Sequence, residues 1–164
     1  MRNSETTAAA TGAVGQVRRD PMAMLPFCGY NTGDYFRHWL KIGPRLTNPP
    51  LIFHVNWFRK DAEGKFLWPG FGDNMRVLQW IIDRCEGRGG AEESPIGSAP
   101  RPEDLDLEGL EAVPPETMRE LLAIKAEEWA KELASQAEFF KTLAPYLLQE
   151  LLEQHEELAR RFGR

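Results

Sequence analysis

The nineteen residues from Asn56 to Asn74, NWFRKDAEGKFLWPGFGDN, constrain this chain more than any other stretch. Five are aromatic (Trp57, Phe58, Phe66, Trp68 and Phe71), and they surround a turn and a Pro-Gly-Phe-Gly loop instead of lining one helix face. Rings so placed have two uses. They close a small core, or they leave flat apolar faces on which a flat ligand stacks, and offset stacking adds about 0.5–1.5 kcal/mol beyond the area buried. Phe71 has a glycine on either side, which removes neighbouring side chains and lets the backbone approach a ligand closely. Asp73 and Asn74 follow, directly before a helical pattern. An Asn at that place either caps the helix with its side chain or reads the edge of a planar base with an amide that both donates and accepts. The pattern suits a purine slot.

At 164 residues the chain is expected to form one domain with a real core. Its net charge of -5 is unevenly spread: residues 1–90 hold twelve basic and eight acidic side chains, residues 91–164 eight and seventeen. An anionic ligand therefore belongs to the first half. Cys28 and Cys85 make no disulfide framework, which points to a reducing, cytoplasmic setting. No apolar leader follows Arg2 and no window approaches the length of a membrane span, so neither a signal peptide nor a membrane partner is expected.

Residues 1–19 are small and polar and bury too little to repay their ordering entropy. They read either as a disordered leader or as a mobile lid, since closing loops use small residues of low intrinsic stability. Asp20–Tyr30 is apolar but broken by prolines, so it is expected to be irregular. Asn31 caps an expected helix over Gly33–Ile42, with Tyr35, Phe36, Trp39 and Leu40 as its stripe, His38 half-buried beside it, and Gly43-Pro44 as the stop.

Leu51–Arg59 reads as a strand rich in β-branched and aromatic residues, returning through the turn Asp61–Gly64 into a second strand, Lys65–Trp68. Alternation puts Phe53, Val55 and Trp57 on one face and His54, Asn56 and Phe58 on the other. Phe58 thus keeps polar company, as a ring awaiting a ligand would, although a plain packed hairpin gives the same pattern. Met75–Glu86 is an expected amphipathic helix with Val77, Leu78, Ile81, Ile82 and Cys85 inward. Gly87–Glu111 reads as a long connection holding one short strand near Ser94–Ile96. Pro115-Glu116 opens an expected helix on which Leu121, Leu122, Trp129, Leu133, Phe139, Phe140 and Leu143 recur until Pro145 interrupts, and Leu147, Leu148, Leu151, Leu152, Leu158 and Phe162 carry a last helix, the two forming a capping hairpin.

No G-x-x-x-x-G-K-[ST] phosphate loop occurs, and His38, His54 and His155 show no ligand spacing, so no metal site is expected. Basic groups near the rings are too few for a nucleic-acid partner.

The chain is similar to the GTP-dependent phosphoenolpyruvate carboxykinases. HVNWFRKD at His54–Asp61, GKFLWPGFGDN at Gly64–Asn74 and DPMAMLPFCGYN at Asp20–Asn31 resemble the C-terminal portion of that family, and SETTAAATGAV at Ser4–Val14 resembles its mobile lid. The resemblance is strong to about Gly109 and looser over the terminal helices. It implies a mixed α/β fold, part of a nucleotide-binding C-terminal domain, with short strands and a hairpin flanked by helices. It divides the chain into a lid-like segment (1–19), a guanine-binding portion (20–111) and C-terminal helices (112–164).

The resemblance also implies an activity, reversible conversion of oxaloacetate and GTP to phosphoenolpyruvate, carbon dioxide and GDP with Mn²⁺ or Mg²⁺, in a monomeric parent enzyme. Carried onto this sequence, Phe58 and Phe71 sandwich the base, Phe66 lines its edge, Phe71, Gly72, Asp73 and Asn74 contact the nucleotide, and Asn74 reads guanine. Ser4, Glu5, Thr6, Thr7, Ala8, Ala9 and Ala10 correspond to the lid. The family usually has Glu where Asp73 stands. Family members run to roughly four such lengths, and their phosphate loop, metal ligands, oxaloacetate-binding arginines and reactive cysteine lie upstream of the stretch matched here. The chain is accordingly expected to be a partial gene product or an internal start at Met1, inactive alone, with the N-terminal portion as its partner. Left open beside this are a noncatalytic GTP- or GDP-binding or complementing fragment, and a helical interaction module.

Overall fold

The computed structural model describes residues 3–5, 17–20 and 24–163. The chain divides into two compact units, Met1–Pro49 with Ala126–Arg164, and Pro50–Lys125.

In the first unit, β1 (Asn3–Glu5) pairs antiparallel with β2 (Val17–Arg19) in the register Asn3↔Arg19, Ser4↔Arg18 and Glu5↔Val17. Ser4 and Glu5 of the lid-like run therefore lie on a strand, while Thr6 to Ala10 fall outside the described residues. Asp20, fully buried, accepts from the backbone N–H of Leu25 at 3.0 Å and holds the short turn Leu25–Phe27. Helix α1 (Thr32–Ile42) starts where the sequence indicates, because Asn31 Oδ1 accepts from Gly33 N at 2.7 Å. Gly33 is forced by crowding: a Cβ there would stand 2.6 Å from the Tyr146 carbonyl oxygen. The expected half-burial of His38 is not found. It is exposed, and Trp39 and Leu40 are 44% and 40% exposed, so the stripe of α1 is only partly covered.

The second unit holds α2 (Asn74–Cys85), β3 (Glu92–Ser94), β4 (Gly97–Ala99) and α3 (Pro115–Leu122). Its core is built from Trp68, Trp80, Leu105, Leu110, Val113 and Met118, with Phe53, Trp57, Val77 and Ile81 against them. Each such side chain contributes about 1.5–3 kcal/mol by leaving water. Trp80 sets the roll of α2, its indole N–H donating to the Gly90 carbonyl at 2.8 Å and its ring meeting Phe53 edge-on at 5.8 Å. That roll turns Leu78, Ile82 and Cys85 toward solvent, a correction to the inward stripe expected of them.

Two more expectations change here. The connection after α2 contains a β3–β4 hairpin in place of one short strand, with Ser94 and Gly97 paired across Pro95-Ile96 and the Ser94 hydroxyl donating to the Gly97 carbonyl. The strands expected over Leu51–Arg59 and Lys65–Trp68 reduce to an isolated antiparallel bridge, Lys60↔Phe66. Burial nevertheless alternates as the sequence indicates: Phe53, Val55 and Trp57 are partly covered, and His54, Asn56 and Phe58 are exposed. A ladder needs a neighbour in register, and among the described residues 51–56 have none, so the side chains alternate without the hydrogen bonds that would make a strand.

The first unit closes with α4 (Ala126–Leu143) and α5 (Gln149–Arg161), the expected helical hairpin, joined across a cis Ala144–Pro145 bond. Trp129 stacks on Phe162 at 5.5 Å and 14°, Phe140 meets His155 edge-on, and His155 Nε2 lies 3.0 Å from the Leu133 carbonyl. The fold is thus a mixture of helices with two small antiparallel strand pairs. No helix of the described residues is long and apolar enough to cross a membrane.

Candidate functional site: an aromatic hairpin beside a helix start

Short-range polar contacts shape the backbone from Asn56 to Asn74. Asn56 Oδ1 accepts from Phe58 N at 3.0 Å, turning the chain outward at the first ring. Beyond it the Asp61 carboxylate accepts from Lys65 N at 2.8 Å, Asp61 N donates to the Lys65 carbonyl at 2.9 Å, and Leu67 N donates to the Arg59 carbonyl at 2.9 Å. Arg59 points the other way: its Nη1 donates to the carbonyls of Leu121 and Ala123 at 3.1 and 3.0 Å, tying the hairpin to the end of α3.

On this frame the rings fall into two sets. Trp57 and Trp68 turn inward, their centroids 6.3 Å apart, and Trp68 is only 6% exposed. Phe58, Phe66 and Phe71 face water, at 69%, 49% and 92% exposure. Phe58 and Phe66 meet edge to face with centroids 6.0 Å apart and planes at 62°, and the Lys60 ammonium lies 4.9 Å over the Phe66 ring. Phe71 has no ring partner among the described residues. Bare phenyl faces are an unfavourable way to meet water. Their exposure leaves the unit's interior to the tryptophans.

The loop that carries Phe71 depends on Gly70, whose φ of 119° lies where L side chains are strained. Phe71–Asp73 forms a single tight turn, with Asp73 N donating to the Gly70 carbonyl at 3.1 Å, and α2 begins at Asn74. Gly72 is exposed, with open space where a side chain would stand. The Asp73 carboxylate accepts from Arg76 Nε at 3.0 Å, and Arg76 Nη1 donates to the Asp106 carbonyl at 2.9 Å. That carboxylate is thus engaged by Arg76 in a partly exposed ion pair.

Asn74 is not the helix cap. Asp73 occupies that position without a side-chain bond, and Asn74 Oδ1 instead accepts from Trp68 Nε1 at 2.8 Å. The sequence motif names both residues, but no periodicity joins a Trp to an Asn six places on, so this bond is visible only in the fold. Arg59 and Arg76 likewise have no sequence signal for their supporting roles. Among the described residues no group of three or more His, Cys, Asp and Glu side chains is placed to hold a metal ion. The Mn²⁺ or Mg²⁺ implied by the resemblance does not fit the donors found here.

Comparison with known proteins places the chain in a family. Residues 1–161 match the family model described as phosphoenolpyruvate carboxykinase C-terminal P-loop domain. The chain is 56% identical over 158 residues to the phosphoenolpyruvate carboxykinase [GTP] of Anaeromyxobacter sp. (strain K), covering 96% of this chain and 26% of that protein. It is 51% identical over 162 residues to the protein of that name from Corynebacterium efficiens, at 98% and 26% coverage, and 52% identical over 164 residues to that of Paenarthrobacter aurescens, at 98% and 27%. The chain therefore spans about a quarter of the length of the curated relatives it matches. With the family model matched along nearly its whole length, the chain belongs to the GTP-dependent phosphoenolpyruvate carboxykinases and corresponds to their C-terminal portion.

Proposed function

We propose that this chain supplies the guanine-nucleotide site of a GTP-dependent phosphoenolpyruvate carboxykinase, a cytoplasmic carboxy-lyase of gluconeogenesis that interconverts oxaloacetate and GTP with phosphoenolpyruvate, carbon dioxide and GDP. The observation that carries this reading is that three phenyl rings, at 58, 66 and 71, stay exposed along the one stretch that ends at the half-buried Asn74. Phe58 and Phe71 take the two faces of the base, and Phe66 closes its edge. The backbone at Gly72 and Asp73 comes close to the nucleotide because no side chain stands in the way at Gly72, and Asn74 reads the base edge. Residues 4–10 take the lid role that the family resemblance implies, and of these Ser4 and Glu5 lie on β1.

The chemistry of such an enzyme is phosphoryl transfer, which rests on positioning and on neutralising charge. This chain's part is the positioning of the purine. The sequence has no phosphate-loop motif and the described residues hold no metal-ligand cluster, so the 164-residue chain alone is expected to bind nucleotide without turning it over, and the rest of the parent enzyme is its partner.

Titration calorimetry of the purified chain tests the reading, with GDP expected to bind and Phe71→Ala to weaken it. Base–aromatic stacking is worth roughly 1–3 kcal/mol, or about five- to more than a hundredfold in affinity. GDP affinity unchanged by that substitution would overturn it.

A further inference from the structure

The bond between Trp68 and Asn74 fixes something that an isolated asparagine leaves open. A carboxamide has an acceptor oxygen and a donor nitrogen at equivalent positions, and a half-turn about its last bond exchanges them. An indole N–H only donates. The atom of Asn74 lying 2.8 Å from Trp68 Nε1 is therefore the oxygen, and the NH₂ group is held pointing elsewhere. The lock is rigid because Trp68 is 6% exposed, packs on Trp57 and belongs to the core cluster with Trp80, Leu105 and Met118.

The orientation matters because the two purine classes present opposite patterns at positions 6 and 1. A 6-oxopurine offers an acceptor and then a donor, and a 6-aminopurine a donor and then an acceptor. A freely turning Asn fits either. One held with its NH₂ toward position 6 fits only the oxo form and meets the amino form donor to donor. We propose that Trp68 is a positioning residue that sets the base selectivity of this site, by clamping the Asn74 amide in the orientation that accepts 6-oxopurine nucleotides and rejects 6-aminopurine nucleotides. The inference rests on the reading that Asn74 faces a purine.

The test measures binding of GDP, IDP and ADP to the purified chain and to Trp68→Phe, which keeps an apolar though smaller ring and removes the donor. The wild type is expected to favour GDP and IDP over ADP. In Trp68→Phe that preference should fall about tenfold or more, with ADP binding gained, whereas a merely structural role would weaken all three nucleotides together. A wild type that binds none of them overturns the purine-site reading and this inference with it, whereas one that binds all three equally keeps the purine site and overturns the inference. A selective wild type whose preference survives Trp68→Phe overturns the inference alone.

Should Trp68→Phe not fold, NMR of the wild type decides. The Trp68 indole proton should exchange with water far more slowly than that of Trp39, which is 44% exposed, and the Asn74 side-chain NH₂ signals should shift on adding GDP. A fast-exchanging Trp68 indole proton, or unmoved Asn74 signals, overturns the proposal.

Discussion

Arg59 reaches across sixty-four positions of sequence to donate through Nη1 to the Ala123 carbonyl at 3.0 Å, and the same nitrogen also meets Leu121. A charged donor thus closes the C-terminal end of α3 from outside the helix, satisfying carbonyls that the helix cannot bond itself. It also anchors the chain next to Phe58.

Arg59→Met keeps much of the stem and removes the donor. Leaving those carbonyls without their charged partner should cost about 1–3 kcal/mol, read as a lowered denaturant midpoint. An unchanged midpoint would show that water replaces the guanidinium without loss.

Phe71→Ala should separate binding from folding. The ring is 92% exposed, and surface substitutions of this kind lie within about 0.5 kcal/mol of neutral. Thermal melting should therefore hardly move while GDP affinity falls. A large stability loss would mean that Phe71 packs into the protein, contrary to its exposure.

Gly33→Ala should be costly although glycine is a poor helix former. The added Cβ would stand 2.6 Å from the Tyr146 carbonyl oxygen and 2.9 Å from Asn31 Oδ1, so either the cap or the segment carrying Tyr146 must move. Overpacking of this sort costs about 1–3 kcal/mol. Equilibrium denaturation gives the value, and a neutral or stabilised variant would contradict the crowding.

Asp104 gives the clearest pH signature. The Arg101 guanidinium, 3.0 and 2.9 Å from its two oxygens, and the Arg101 backbone N–H hold its carboxyl below the ordinary value near 3.8. Because the folded pKa is the lower one, the stabilisation is complete above the unfolded value and disappears as pH falls through the folded value. Asp104→Asn should therefore melt below the wild type at pH 7, and the gap should close as pH drops below about 3.8. A gap that stays constant down to pH 2 would mean the carboxylate charge contributes nothing.

Local chemistry made some of this fold readable in advance. Asn31 as a cap, Gly43-Pro44 as a stop and Pro115 as a first helical residue each act within a few positions, and α1 begins and ends, and α3 begins, within a residue or two of where those signals put them; the break after Leu122 that separates α3 from α4 carries no such signal. The roll of α2 was not readable, because Trp80 chooses its direction by finding the Gly90 carbonyl ten residues later. The β3–β4 hairpin was missed for the opposite reason: its strands are three residues each and carry no apolar alternation, and the turn is set by one serine hydroxyl. In the candidate site, the motif supplied the three phenyl rings and Asn74. The partners that orient them, Trp68, Arg59 and Arg76, follow from three-dimensional proximity that no spacing rule encodes.

The run from Leu51 to Asn56 carries a last implication. Leu51 and Ile52 are 61% and 78% exposed, and no ladder joins this segment to another among the described residues. An apolar segment without ladder partners is a template on which a second copy can pair. The isolated polypeptide should thus become turbid with rising concentration, and a lysine in place of Ile52 should keep it clear.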